Sequence, residues 1–346
     1  MKWAPWFLGA GLVLLLLLPS SAEACAGCSN PNLPAGRSSH AELGAGRVTA
    51  TFFVTGTYMN VVHSDFCPDI GPICQQRDEP GQLHDQTFYI GELRPILDVG
   101  LTETFGVEAQ IPFRITRTTI VFRRLDGAAF VPDYEHIHHR TETLAGPADP
   151  WLLARGIWRL GSWSLTARSG LSLPLGRTEP NPFALGRAGQ PHQHIQFGNG
   201  TVNPVLGLDV ARQWERVRLS AYGQTVLFFY QNHYGYQAGN RYLGGVAAEA
   251  SLLPKLRVTV GADLLNEQPE RWDGAVQQDG NVGRTDLLLG GMVGYAFDPV
   301  TALLSVKAPV WQQFIRVGEQ HDADPGQLTY PAIVHLAVQR TWDELF

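Results

Sequence analysis

Several things are scarce or missing in this chain. Charged residues make up only 17% of it and the net charge is −6, with no basic run, so the electrostatic footprint of a nucleic-acid binder is absent. After Leu18, no stretch approaches the roughly 18 unbroken apolar residues of a membrane helix. There is no Gly-x-Ser-x-Gly stretch, and glycine clusters such as Gly44-Ala45-Gly46 follow no strand-to-helix context, so neither that kind of hydrolase nor a dinucleotide site is supported. Cysteine is down to four residues.

The first segment has the marks of an export signal. Lys2 precedes an apolar run from Phe7 to Leu18, and Ala22-Glu23-Ala24 supplies a small-residue cleavage site, so residues 1–24 are expected to be removed. Cleavage would leave Cys25 first, but Ala22 and Glu23 suit a lipoprotein signal poorly. Cys25 and Cys28 fall in an expected periplasmic segment, residues 25–45. A lone Cys-x-x-Cys can be a disulfide, half a metal site or a redox pair, and the spacing does not choose; a Cys25–Cys28 disulfide is the expected reading and metal capture the alternative. Cys67 and Cys74, in CPDIGPIC, are expected to staple a loop as a disulfide in an oxidising compartment.

The dominant signal is period-2 alternation. Pro204, Leu206, Leu208 and Val210 alternate with Asn203, Val205, Gly207 and Asp209. After a turn near Glu215 the pattern resumes, Val217, Leu219 and Ala221 against Arg218, Ser220 and Tyr222. Such runs, about 14 residues long, exceed the usual soluble strand of about 5–6 and suit a tilted bilayer crossing of about 9–11. Strands are expected near 46–62, 85–101, 104–122, 149–160, 162–175, 201–214, 216–231, 240–253, 255–266, 284–298, 299–312 and 328–342. Connections at Thr102–Glu103, Gly161, Trp214–Glu215, Pro254 and Asp298–Pro299 are short. Those at 63–84, 123–148, 176–200, 232–239, 267–283 and 313–327 are long, and the two kinds alternate strictly. The expected fold is therefore all-β: a transmembrane antiparallel β-barrel of about twelve strands over residues 46–346, in the outer membrane of a Gram-negative bacterium. Short turns and both termini would be periplasmic, long loops external, and membrane lipid the first partner.

The face opposite the apolar one collects Glu92, Arg94, Asp98, Glu108, Arg114, Arg155, Arg159, Arg168, Asp209, Arg218, Glu249, Lys255, Arg257, Asp263, Asp286 and Lys307. These would line the lumen, either as paired charges filling a narrow interior or as the lining of a path. Trp151, Trp158, Trp163, Trp214, Tyr295, Phe297 and Trp342 are expected at the short-turn end as an interfacial aromatic girdle. Histidines gather in the long loops: His136, His138 and His139 in one, His192 and His194 in the next. Neutral imidazole is a common transition-metal ligand, so a copper or zinc site at the external mouth is one reading and solvated polar loops the other.

Three stretches, GPADPWLLARGIW (Gly146–Trp158), SLTARSGLSLPLG (Ser164–Gly176) and FGNGTVNPVLGLDVARQW (Phe197–Trp214), carry Gly-x-x-Asp-Pro and Gly-x-Gly-x-x-x-Pro-x-Leu-Gly-Leu strand openings. They resemble a family of outer-membrane transporters named for the meta-pathway of phenol degradation. The resemblance implies an outer-membrane barrel with a loosely defined solute. The expected function is passage of a small solute, a hydrophobic or aromatic compound or a metal ion, without covalent chemistry. The alternatives are a copper or zinc uptake barrel using its histidine-bearing loops, a barrel-embedded hydrolase, and a purely structural barrel.

Overall fold

A computed structural model describes residues 44–65, 82–132, 139–277, 280–314 and 329–343. All four cysteines, His136 and His138 lie outside the described residues, and with them both expected disulfides and the first half of the histidine cluster.

The alternating runs form strands β1 (Val48–Asp65), β2 (Gln82–Gly100), β3 (Phe105–Gln110), β4 (Phe113–Arg124), β5 (Glu142–Pro147), β6 (Trp151–Leu160), β7 (Trp163–Ser172), β8 (Asn203–Trp214) and β9 (Val217–Val226). They continue as β10 (Tyr236–Gln237), β11 (Arg241–Leu253), β12 (Leu256–Glu267), β13 (Arg271–Trp272), β14 (Arg284–Phe297), β15 (Val300–Phe314) and β16 (Ile333–Trp342). β3 with β4, and β5 with β6, are each one barrel strand interrupted at a proline. β10 and β13 form a separate two-stranded ribbon. The other segments make a closed antiparallel barrel of twelve strands, with β1 paired to both β2 and β16 so that no barrel-closing edge is left open.

The two interruptions lie side by side in the wall. Proline has no N–H to give the ladder, and both Pro112 and Pro150 occupy a break. Pairing recovers around them, because Ile111 N–H reaches Pro95 O at 3.0 Å and Ala148 N–H reaches Pro112 O at 2.9 Å. Sequence alone starts the fourth strand at 149, whereas it begins at Glu142. The residues ETLAGP alternate too weakly in hydrophobicity, and their Gly146 and Pro147 look like a turn. β5 pairs only with β4. Beside its other edge β7 has already stopped at Ser172, and the chain beyond it runs past with Arg177 N–H on Pro147 O at 3.3 Å.

Alternate side chains divide sharply between the faces. Phe52, Leu97, Leu208, Val260, Leu289 and Leu336 are among the apolar residues exposed on the outer wall, far more apolar surface than a water-soluble monomer displays. In lipid that face is solvated and every ladder group is bonded within the closed sheet. The chain is thus an outer-membrane β-barrel. At its short-turn end Trp158 packs edge-on against Phe105, and Arg212 lies 5.2 Å from the Trp163 ring and 4.4 Å from the Trp214 ring. Two of the expected positions differ. Trp151 faces the lumen at mid-height, because it follows a long loop and not a short turn. Lys255 is exposed in the tight turn between β11 and β12.

The described external connections fold over the barrel and inward. Helix α1 (Pro182–Arg187) is capped by Asn181, whose side chain accepts from Phe183 N–H and Ala184 N–H. Phe183, Tyr236 and Trp272 pack ring against ring, joining the β7–β8, β9–β11 and β12–β14 connections above a buried cluster that includes Leu153, Val205, Val226 and Phe228.

Candidate functional site

The lumen has two zones. Its external half holds an apolar cluster: Met59, Phe88, Ile90, Leu144, Leu288 and Ile333 from the wall pack with Ile195, Phe197 and Tyr330 from the loops. The β7–β8 connection therefore reaches into the barrel and does not merely cover it.

The periplasmic half is built from charge. Arg155 pairs with Asp98, both almost wholly buried. Arg168 bridges two acids, Glu108 at 3.1 Å and Asp209. Gln110 donates to Glu108 at 2.6 Å and accepts from Arg94 at 3.3 Å. Arg94 and Arg114 both pair with Glu92, the latter at 2.8 Å. Glu92, Arg94, Gln110, Glu108, Arg168 and Asp209 form one bonded chain from β2 through β3 and β7 to β8, with Arg114 of β4 joined at Glu92 and the Arg155–Asp98 pair beside it. A carboxylate or guanidinium alone in such an interior would be strongly disfavoured, so alternate signs on neighbouring strands hold each other in place. On the opposite wall Asp263 pairs with Lys307 and accepts from Tyr222 O–H at 2.6 Å. Gly245 leaves room for that pair, since a Cβ there would collide with the Asp263 carboxylate.

The remaining charged residues named from sequence are less tightly held. Arg218 faces inward with Ser164 Oγ at 3.5 Å, and Glu249 is 3.9 Å from Arg257, which is largely exposed at the periplasmic rim. Asp286 is at the external end, buried, accepting from Tyr330 O–H at 2.6 Å and paired with Arg284 at 2.8 Å.

Where the two zones meet there is a partly enclosed cavity of about 40 Å³. Arg94, Arg114, Arg241, Trp151, Phe197 and Phe228 line it. Arg94 lies over the Trp151 ring at 5.4 Å and Arg241 over Phe228 at 5.2 Å. Phe197, Phe228 and Arg241 are not singled out by sequence, and Trp151 is expected at the other end, because a strand rhythm does not say which loop residues turn inward or which strand ends they meet. Asp149 has the same status. One of its oxygens accepts from Gly176 N–H at 2.9 Å, and the other from Asn199 N–H and Asn199 Nδ2, both at 2.8 Å. The two ends of the loop touch there: a Cβ on Gly176 would be 2.6 Å from Gly198 Cα. The Gly-x-x-Asp-Pro stretch thus supplies the clasp of the inward loop.

Four of the described histidines form two separate pairs. His84 and His139 meet edge to face at 4.5 Å between ring centroids, His192 and His194 at 5.0 Å. Burial lowers the pKa of His192, and burial with the neighbouring His192 pushes His194 down to about 3, so both are neutral at pH 7. Among the described residues no group of three or more His, Cys, Asp or Glu stands close enough to hold a metal ion. In the loop cap Glu270 accepts from Trp272 Nε1 and from Asn281 N–H, each at 3.2 Å, and burial raises its pKa to about 7.

No family model and no curated protein matches the sequence. Among solved structures, the crystal structure of an outer membrane channel from Pseudomonas putida F1 is similar in fold. It is 12% identical at a TM-score of 0.60, with 89% of this chain and all of that one covered. A FadL homologue from Pseudomonas aeruginosa is 12% identical at a TM-score of 0.39, covering 86% of this chain and 90% of its own. A TodX monoaromatic hydrocarbon channel mutant is 9% identical at 0.40, covering 86% and 91%. At such identities the likeness is one of fold.

Proposed function

We propose that this outer-membrane barrel is a channel for a small solute with an apolar or aromatic body. The observation that carries this reading is the cavity at mid-lumen, where aromatic rings from the wall and the inward loops face the head of the charged lattice. A solute leaving the external medium would meet the apolar zone first, and the charged periplasmic half would then take over its polar groups. The competing structural barrel would have its lumen closed permanently by the Arg–acid lattice.

Swelling of liposomes carrying the purified protein tests the reading. Phenylalanine is expected to enter faster than sucrose, and both rates should depend on the protein. Entry no faster than in protein-free liposomes for every solute up to the size of phenylalanine would overturn it.

A further inference from the structure

The outer wall carries a charge that the pairing inside the lumen does not account for. Odd positions of β8 turn inward, with Val205 and Ala211 buried, so the even ones face lipid: Leu206, Leu208, Val210 and, nearest the periplasmic end, Arg212. Trp163 stands directly opposite Arg212 on β7, and Leu219 opposite it on β9. Trp214 follows two residues on, on the same face. The guanidinium lies over both indoles, 5.2 Å from the Trp163 ring centroid and 4.4 Å from that of Trp214. A ring attracts a cation, but it supplies neither a neutralising charge nor an oxygen for the N–H donors. The one acid of β8, Asp209, faces the lumen and is paired with Arg168. Among the described residues no carboxylate pairs with Arg212.

The surroundings set both the depth and the sign of what would meet this cation. Indoles favour the boundary between hydrocarbon and headgroups, so the two tryptophans place Arg212 at headgroup level, with Val210 and Leu208 leading from it toward the middle of the membrane. From β6 to β12 the rim at this end holds Arg159, Arg212, Arg216, Arg218, Lys255 and Arg257 against Glu215 and Glu249, so the surface there is basic. An arginine that merely snorkels extends to water, whereas this one is held over two rings on the lipid side. We propose that Trp163, Arg212 and Trp214 form a binding site for an anionic phospholipid of the periplasmic leaflet, its phosphate on the Arg212 guanidinium and its acyl chains along Val210 and Leu219. The basic rim favours a net negative head over a zwitterionic one. The apolar wall favours a lipid over free phosphate. The site lies outside the lumen, so it is independent of whether the barrel conducts.

Native mass spectrometry of the purified, folded protein in detergent tests the site, with dioleoylphosphatidylglycerol as the probe. Dioleoylphosphatidylcholine, which has the same chains and no net charge, and inorganic phosphate are the controls. The first lipid is expected to bind about tenfold more tightly than the second, a difference of about 1.4 kcal/mol, and inorganic phosphate is expected not to bind detectably. Equal affinity for the two lipids would overturn the proposal, and phosphate binding as tight as that of phosphatidylglycerol would reduce the site to one for a plain anion. Arg212→Gln should weaken phosphatidylglycerol about tenfold, to the level of phosphatidylcholine. Arg340→Gln removes an equal charge from the same rim, where Arg340 lies over the single ring of Trp342 at 4.9 Å, and should weaken it by less than about twofold. Unchanged binding in Arg212→Gln, or an equal loss in both variants, would contradict a site at Arg212. If Arg212→Gln loses the barrel's heat-modifiable gel migration, Trp214→Leu replaces it, with a loss of about threefold or more expected and unchanged affinity counting against the site.

Discussion

Asn199 N–H donates to the Asp149 carboxylate at 2.8 Å, and this contact fastens the end of the inward loop to the break in the barrel wall beside which the loop's other end leaves β7, Leu173 N–H reaching Pro150 O at 2.9 Å. Three N–H donors converge on Asp149 in all, and hydrogen bonds to a charged group contribute about 1.5–3 kcal/mol each. Asp149→Ala should therefore loosen the β7–β8 connection without unmaking the barrel. Proteolytic cleavage within residues 177–197 is expected to speed up roughly tenfold or more, with heat-modifiable migration retained. Unchanged cleavage would show that the loop is held by its apolar contacts alone.

The Arg155–Asp98 pair offers a stability test of the charged lattice. Both side chains are nearly inaccessible, at 1% and 2%. Arg155→Met removes the guanidinium beside a buried acid and should destabilise by about 3–5 kcal/mol, while Arg155→Met combined with Asp98→Leu should recover most of it. Denaturant titration of the protein folded in lipid vesicles measures both. A single substitution costing no more than the double would mean that water already reaches the pair.

The external cap should respond to pH through Glu270. Its buried carboxyl titrates near 7 when folded, above the ordinary 4.5. The folded cap therefore binds the proton more tightly than the open one. That stabilisation is complete below about 4.5 and is lost as pH rises through about 7. Amides around Trp272 and Asn281 are expected to exchange more slowly at pH 5 than at pH 8 after correction for intrinsic rates, and Glu270→Gln should flatten the difference. A cap equally protected at both values would argue against a proton on Glu270.

Lipid contact is tested on the outer wall. Leu208→Arg places a charge among Leu206 and Val210 on β8 and should cost about 2–4 kcal/mol if it lies near the midplane. Gln224→Arg on the neighbouring β9 points into the lumen and should cost clearly less. Equal costs would contradict the assignment of the two faces.

Much of this architecture is legible in the sequence, and the parts that are not share a cause. Period-2 patterning exposes a strand wherever lipid on one side and a polar lumen on the other impose opposite demands, as on β8 and β12. It fails at β5, where Leu144 faces inward and Thr143 outward, so the usual contrast is lost. Loop lengths reveal which end is external, but α1, the Tyr236–Trp272 ribbon and the inward course of Ile195 and Phe197 depend on contacts between segments far apart in the chain. The mid-lumen cavity is hidden for the same reason. Its arginines on β2 and β4 fall in the inward-facing charged set, yet their aromatic partners come from β6 and from two loops.

The most direct test of a solute path through this barrel is single-channel recording of the purified, folded protein in a planar bilayer. Such a path predicts discrete unitary currents, with a larger open probability in Asp149→Ala, where the inward loop is unclasped. A folded, heat-modifiable protein that passes no current in either form, under any salt or voltage, would contradict it and leave a sealed structural barrel.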